Sequence, residues 1–144
     1  ELLGGIEAAP RARAFAQGVL ASWRFPVELC DLGVLAASEL VANSLQHGTP
    51  PMRLRLRRTD RRLIIEVTDG DDHLPRRQSG QDETGRGISI IAAIASSWGS
   101  RRTLGGGKAV WCEFFFGAQN LGMGGIRPDD LVPPYGRGAE FRWQ

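Results

Sequence analysis

Glu39 and Asn43 are the residues whose types and spacing most clearly indicate chemistry in this chain. They are four positions apart, so in a helix they lie one turn apart on the same face. A carboxamide oxygen suits a hydrated Mg²⁺ ion, and a carboxylate can take a proton from water or from a hydroxyl. The alternative is that both side chains only cap or pair with neighbours on a wet helix face.

Residues 84–87, Thr-Gly-Arg-Gly, open a second helical pattern later in the chain. Backbone N–H groups at the start of a helix lack intrahelical partners and can face an anion, and glycines let a phosphate come close. For Arg86 two interpretations stay open, a phosphate contact or a side chain in solvent. Asp69-Gly70-Asp71 follows an apolar strand between these two regions. Together with Glu39, Asn43 and Asp69, the segment 84–87 suggests a nucleotide pocket.

Hydrophobic periodicity predicts the elements that must position these residues. One helix is expected to begin near Pro10 and end before Pro26, and a mostly buried helix to run from Val27 to about His47. Period-two alternation predicts a hairpin of strands over residues 52–57 and 63–68, with Asp69 just past its end. The elements expected after it are a loop over 70–84, a short helix over 88–95, and strands over 98–103 and 109–116.

The order of these elements predicts the fold class. Helices followed by antiparallel strands, with one helix interposed, indicate a two-layer α/β (α+β) sandwich with a mixed, mostly antiparallel sheet covered on one face by helices. With 144 residues and 42% hydrophobic content, the chain is expected to form one core. We divide it into a domain over residues 1–116 and a Gly- and Pro-rich C-terminal extension over residues 117–144.

The charge, the cysteines and the lengths of the apolar runs indicate which partners and which cell compartment to expect. The net charge is only +2, and the densest basic patch, six arginines between residues 53 and 62, mostly alternates with apolar residues as a solvated strand face does. No aromatic residue interleaves with these arginines, so we expect an acidic protein surface and not nucleic acid. The two cysteines have no metal-ligand spacing. No run approaches the roughly 18 apolar residues of a membrane span, so we expect a cytoplasmic protein without membrane contact.

Four motifs occur in this order along the chain: ELVANSLQHG at 39–48, VTDGDD at 67–72, GRGISII at 85–91 and GGGKAVWCEF at 105–114. Together they resemble the motifs of the GHKL superfamily with its Bergerat ATP-binding fold. The closest resemblance is to the small bacterial anti-sigma factor serine/threonine kinases of the histidine-kinase-like ATPase type. The resemblance covers about residues 8–116.

The resemblance implies ATP and Mg²⁺ as cofactors and assigns roles within the pocket. Asn43 would hold the Mg²⁺, Glu39 would act as the general base, and Asp69 would accept a hydrogen bond from the adenine amino group. The phosphates would be bound where a loop enters a helix, by Thr84, Gly85, Arg86 and Gly87. Two positions depart from the family pattern, Asp71 in place of a glycine and Ala109 in place of a threonine. Lys108, after the glycine turn, could make a further phosphate contact, but we interpret it as a turn lysine.

The implied function is a kinase that phosphorylates a serine on a small antagonist (anti-anti-sigma) protein. Such a kinase binds a sigma factor or similar client when the antagonist is unavailable, regulates transcription by partner switching, and forms a homodimer. A first alternative is a catalytically silent binding module of the same fold that sequesters a regulator, which the two departures favour. A second alternative is the ATPase domain of a larger signalling protein.

Overall fold

The architecture is taken from a computed structural model, which describes residues 5–70, 83–116 and 137–143. In chain order the elements are α1 (Gly5–Ser22), α2 (Val27–His47), β1 (Met52–Arg58), β2 (Arg62–Asp69), α3 (Glu83–Ile94), β3 (Ser97–Arg102), β4 (Lys108–Phe115) and β5 (Arg137–Trp143). The second helix, the predicted hairpin and the two strands predicted after the short helix are confirmed. Two boundaries differ from the prediction by about five residues, since α1 begins before Pro10 and α3 before Ile88.

The strands form a single five-stranded sheet in the order β3-β4-β2-β1-β5, and every described pairing is antiparallel. Alternation along each strand sends one set of side chains towards the helices. Leu56, Ile65 and Cys112 sit side by side in register on that face, and none of them is exposed. The predicted two-layer α+β sandwich is therefore confirmed.

Helix α2 is the central helix, packed against α1, α3 and β2. Its buried side holds small and branched apolar residues such as Ala37, Leu40 and Val41. A Cβ added at Gly33 would lie 2.8 Å from Leu20 Cδ1, because α2 comes close to both α1 and the sheet there. This tight packing fixes the position of every side chain that α2 carries towards the sheet.

Strand β5 was not predicted, since we expected only a Gly- and Pro-rich extension over this part of the chain. It pairs with β1 and places Phe141 against Phe15 of α1, with ring centroids 5.6 Å apart. Trp143 at its end is buried at 3% exposure. The end of the chain thus contributes to the core, while the division at residue 116 stays a prediction.

Arg58 differs from the other arginines of the basic patch. The patch was expected to be a solvated strand face, yet Arg58 is buried at 6% exposure on the helix side of the sheet. Its guanidinium lies over the rings of Phe25 and Phe116 and donates a hydrogen bond to the carbonyl of Trp23. Arg58 is therefore part of the core beneath the turn between α1 and α2.

A helix that spans a membrane needs about 20 mostly apolar residues. Within residues 5–70, 83–116 and 137–143, no helix has both the length and the apolar character required to cross a bilayer.

Candidate functional site

Glu39 and Asn43 lie one turn apart on α2, as their spacing predicts. Asn43 is buried at 6% exposure, whereas Glu39 is half-buried. The side-chain amide Nδ2 of Asn43 has no hydrogen-bond partner among the described residues. A buried amide group left unpaired carries a free-energy cost, so Asn43 suits a position where a ligand completes its hydrogen bonds.

Asp69 is the last residue of β2 and is held beside the C-terminal half of α2. The hydroxyl of Ser44, the residue next to Asn43, donates to Asp69 Oδ2 across 3.4 Å. A Cβ added at Gly48 would lie only 2.5 Å from the same oxygen. The end of β2 and the end of α2 therefore meet at the carboxylate of Asp69.

Lys108 pairs with the other carboxylate oxygen of Asp69. Its Nζ lies 3.1 Å from Asp69 Oδ1, and the two side chains are 2% and 1% exposed. Our interpretation of Lys108 as a turn lysine is wrong, because it is the first residue of β4 and faces the helices opposite Asp69 in the strand register. This buried ion pair was missed, although Lys108 is the sole lysine beside seventeen arginines and directly precedes an apolar strand.

The glycine turn before β4 is what brings Lys108 to this position. Gly105, Gly106 and Gly107 all have positive φ angles, which other residues rarely adopt. A Cβ on Gly107 would collide with the backbone carbonyl oxygen of Asp69. The turn therefore packs directly on the backbone at the end of β2.

The segment Thr84–Gly87 lies in the first turn of α3, which packs against α2. The helix begins at Glu83, so the prediction that it begins at Ile88 is wrong. The predicted phosphate contacts of Thr84, Gly85, Arg86 and Gly87 stay predictions, since these side chains lie outside the described ones. Asp71 and most of the predicted loop over 70–84 also fall outside the described residues.

The structure thus brings together three of the predicted site residues. Glu39 and Asn43 share one helix face, and Asp69 meets the same helix through Ser44. The segment Thr84–Gly87 lies in the first turn of α3, and α3 packs against α2. Two residues that sequence reasoning did not assign to the site, Ser44 and Gly48, lie within the ELVANSLQHG motif itself.

The chain matches the histidine kinase-like ATPase domain over residues 5–114. It belongs to that family. The match spans the three described helices, the glycine turn, strands β1 to β3 and nearly all of β4, and it confirms the GHKL assignment. No curated protein sequence gives a significant match to the chain.

Domains of this family bind ATP, typically with Mg²⁺, and the described residues fit that ion. No group of three or more His, Cys, Asp or Glu side chains able to hold a metal occurs within the described ranges. Mg²⁺ needs no such cage, because it keeps most of its waters and takes few protein ligands beside substrate phosphates. Asn43 is the side chain here that would hold it, through its carboxamide oxygen, because the unpaired Nδ2 is a donor and cannot ligate a cation.

Proposed function

We propose that this domain is an ATP-dependent protein serine/threonine kinase of the anti-sigma-factor type. Its substrate would be a serine hydroxyl on a small antagonist protein, and its client a sigma factor or a similar regulator. The observation that supports this most is the placement of Glu39 on the same face of α2 as the buried, unpaired amide of Asn43. A carboxylate held beside the cation ligand can accept the proton of a hydroxyl that attacks the γ-phosphate.

In the proposed reaction the serine Oγ forms a bond to the γ-phosphorus of ATP. The bond from that phosphorus to the β,γ-bridging oxygen breaks, and ADP leaves. The Glu39 carboxylate takes the serine proton, and its half-buried position leaves it accessible to a protein substrate. Bound Mg²⁺ would supply neutralisation of phosphate charge, with Asn43 holding the ion.

Base recognition would fall to Asp69. Its carboxylate would accept a hydrogen bond from the adenine amino group, where guanine presents a carbonyl. Lys108 Nζ lies 3.1 Å from Oδ1, and the Ser44 hydroxyl donates to Oδ2 across 3.4 Å. We propose that these two contacts orient the carboxylate that accepts from adenine.

A second candidate is a binding module of the same fold that no longer transfers phosphate. The burial of Asp69, at 1% side-chain exposure beside Lys108, favours this candidate, because a base must reach that carboxylate. Ala109, at the position of the family's threonine, is fully buried and brings no hydroxyl. In this alternative the domain would bind a regulator without transferring phosphate to it.

The experiment that separates the candidates is thiophosphorylation. The purified chain, with Mg²⁺ and ATPγS, is added to a lysate of the source cells, and thiophosphorylated peptides are identified by mass spectrometry. The kinase proposal expects a serine of one small protein to be labelled by the wild type and not by Glu39→Gln. Equal labelling with Glu39→Gln, or none with the wild type despite ATP binding, would support the silent module.

A further inference from the structure

One face of the sheet points away from the helices and is rich in arginine. The described helices pack on the face that holds Leu56, Ile65 and Cys112, and we call the opposite face the outer face. Successive residues of a strand point to opposite faces, so Asp69 and Lys108 lie on the helix side and the outer face is separate from the proposed ATP pocket. The strand register places six arginines on the outer face, namely Arg53, Arg55, Arg57, Arg62, Arg101 and Arg142.

The outer face carries more positive than negative charge. Among the described residues its carboxylates are those of Glu66, Glu113 and Glu140, which leaves a surplus of three positive charges. Glu66 and Glu113 are only 6% and 14% exposed, whereas Arg101 and Arg62, which pair with them, are 57% and 54% exposed. The carboxylates are thus covered while the guanidinium groups stay accessible, and an approaching molecule meets a positive surface.

The arginines of the outer face keep hydrogen-bond donors for a further anion. Arg101 lies 3.0 Å from Glu66, and Arg62 lies 3.7 Å from Glu113. A guanidinium group has five N–H donors, and a carboxylate bound side-on uses two of them. The glutamates also hold these long side chains in place, so less conformational entropy is lost when a partner binds. Both arginines can therefore take a second carboxylate.

The outer face also has an exposed apolar side chain beside these arginines. Phe115 is 55% exposed and lies opposite Arg62 in the strand register, with the Arg62 guanidinium 5.5 Å from the centre of its ring. The indole of Trp111 packs on the backbone of Gly99, because a Cβ added there would lie 2.7 Å from Cζ2 of Trp111. With Arg62 over one ring and Gly99 under the other, these aromatic residues do not form the open stacking platform that single-stranded nucleic acid uses.

We propose that the outer face is a docking surface for an acidic protein segment that carries an apolar anchor. Carboxylates of the partner pair with Arg62 and Arg101, and an apolar side chain of the partner packs on Phe115. A second copy of this chain fits the face poorly, because each copy would bring the same surplus of positive charge. Docking here needs neither ATP nor the proposed kinase activity, since the pocket lies on the other side of the sheet.

The test is fluorescence anisotropy of a labelled peptide titrated with the full chain in the absence of ATP. The probe is a peptide of about ten residues, made of aspartate, glutamate, leucine and phenylalanine, and its control has lysine at every acidic position. We expect saturable binding of the acidic peptide that weakens as salt is added, and none of the lysine peptide. Arg62→Gln/Arg101→Gln should weaken binding about tenfold or more, because charge-assisted contacts are lost. Phe115→Ala should weaken it about tenfold, as loss of an apolar anchor does.

Arg11→Gln/Arg102→Gln is the matched control, because it removes the same charge from two exposed arginines off the outer face. Arg102 follows Arg101 on β3 and so points to the helix side. The proposal is overturned if the acidic peptide does not bind, if the lysine peptide binds equally, or if both double variants lose affinity alike. It is also overturned if a single-stranded oligo-dT of about the same length binds more tightly than the acidic peptide. Self-association of the chain in sedimentation that Phe115→Ala abolishes would assign the face to a second copy instead.

Discussion

Replacing Lys108 by methionine removes one partner of the buried pair with Asp69 and keeps the aliphatic part of the side chain. Both side chains are almost fully buried and lie 3.1 Å apart, so solvent does not screen the charge left on Asp69. Surface ion pairs contribute at most about 1 kcal/mol, but breaking a buried pair costs about 3–5 kcal/mol. Against a total stability of about 5–15 kcal/mol, that loss is large.

The assay is urea unfolding at neutral pH, followed by circular dichroism, for three variants beside the wild type. Lys108→Met should lose about 3–5 kcal/mol, and the double variant Lys108→Met/Asp69→Asn should lose less, because no unpaired charge remains. Arg57→Met, which removes an exposed cation, should cost under about 0.5 kcal/mol. A loss below about 1 kcal/mol in Lys108→Met, or a double variant that is as unstable as Lys108→Met or more so, would refute the reasoning.

Three further predictions concern ATP binding, phosphoryl transfer and stability at high pH. Gly48→Ala should weaken ATP binding at least tenfold by calorimetry, because its Cβ would displace the Asp69 carboxylate, while Gly18→Ala, with nothing within 4 Å of its added Cβ, should bind normally. Glu39→Gln should lower phosphoryl transfer by about 10²–10⁴-fold in a kinetic assay without changing ATP affinity. Burial, and then the Glu113 carboxylate, raise the pKa of the Cys112 thiol to about 12 from 9.0. As the pH rises, the thiol therefore loses its proton in the unfolded chain before it does so in the folded one, and the folded state is destabilised. Between pH 9 and 12, the free energy of unfolding of the wild type should fall by up to about 1.4 kcal/mol per pH unit more than that of Cys112→Ala. Urea unfolding of both proteins across this pH range measures the difference.

The elements that carry Glu39, Asn43 and Asp69 could be predicted because their patterns are long. In α2 an apolar stripe continues over 21 residues, and the β1–β2 hairpin alternates clearly around a short polar turn. The pairing of Asp69 with α2 could not be predicted in this way. It depends on how closely the end of α2, the end of β2 and the glycine turn approach one another at Gly48 and Gly107. The sequence of any one of these segments does not indicate that approach.

The missed features have separate physical reasons. Strand β5 does alternate, with Ala139, Phe141 and Trp143 facing the core, but the signal is short and follows a long Gly- and Pro-rich stretch. The start of α3 was placed too late because Gly85 and Gly87 have low helix propensity, whereas packing against α2 outweighs propensity. Lys108 was misassigned because a lysine after three glycines is usually exposed, and its acid partner is 39 residues away.

The central claim is that the domain binds ATP through a Mg²⁺ ion that Asn43 holds. The most direct test is a calorimetric titration of the wild type and of Asn43→Ala with ATP, in the presence and absence of Mg²⁺. The account predicts saturable binding to the wild type that requires Mg²⁺, and loss of that binding in Asn43→Ala with cooperative melting retained. Binding that is indifferent to both Mg²⁺ and Asn43, or no binding to the wild type, would contradict it. Loss of cooperative melting in Asn43→Ala would instead assign Asn43 to the core and remove it from the site.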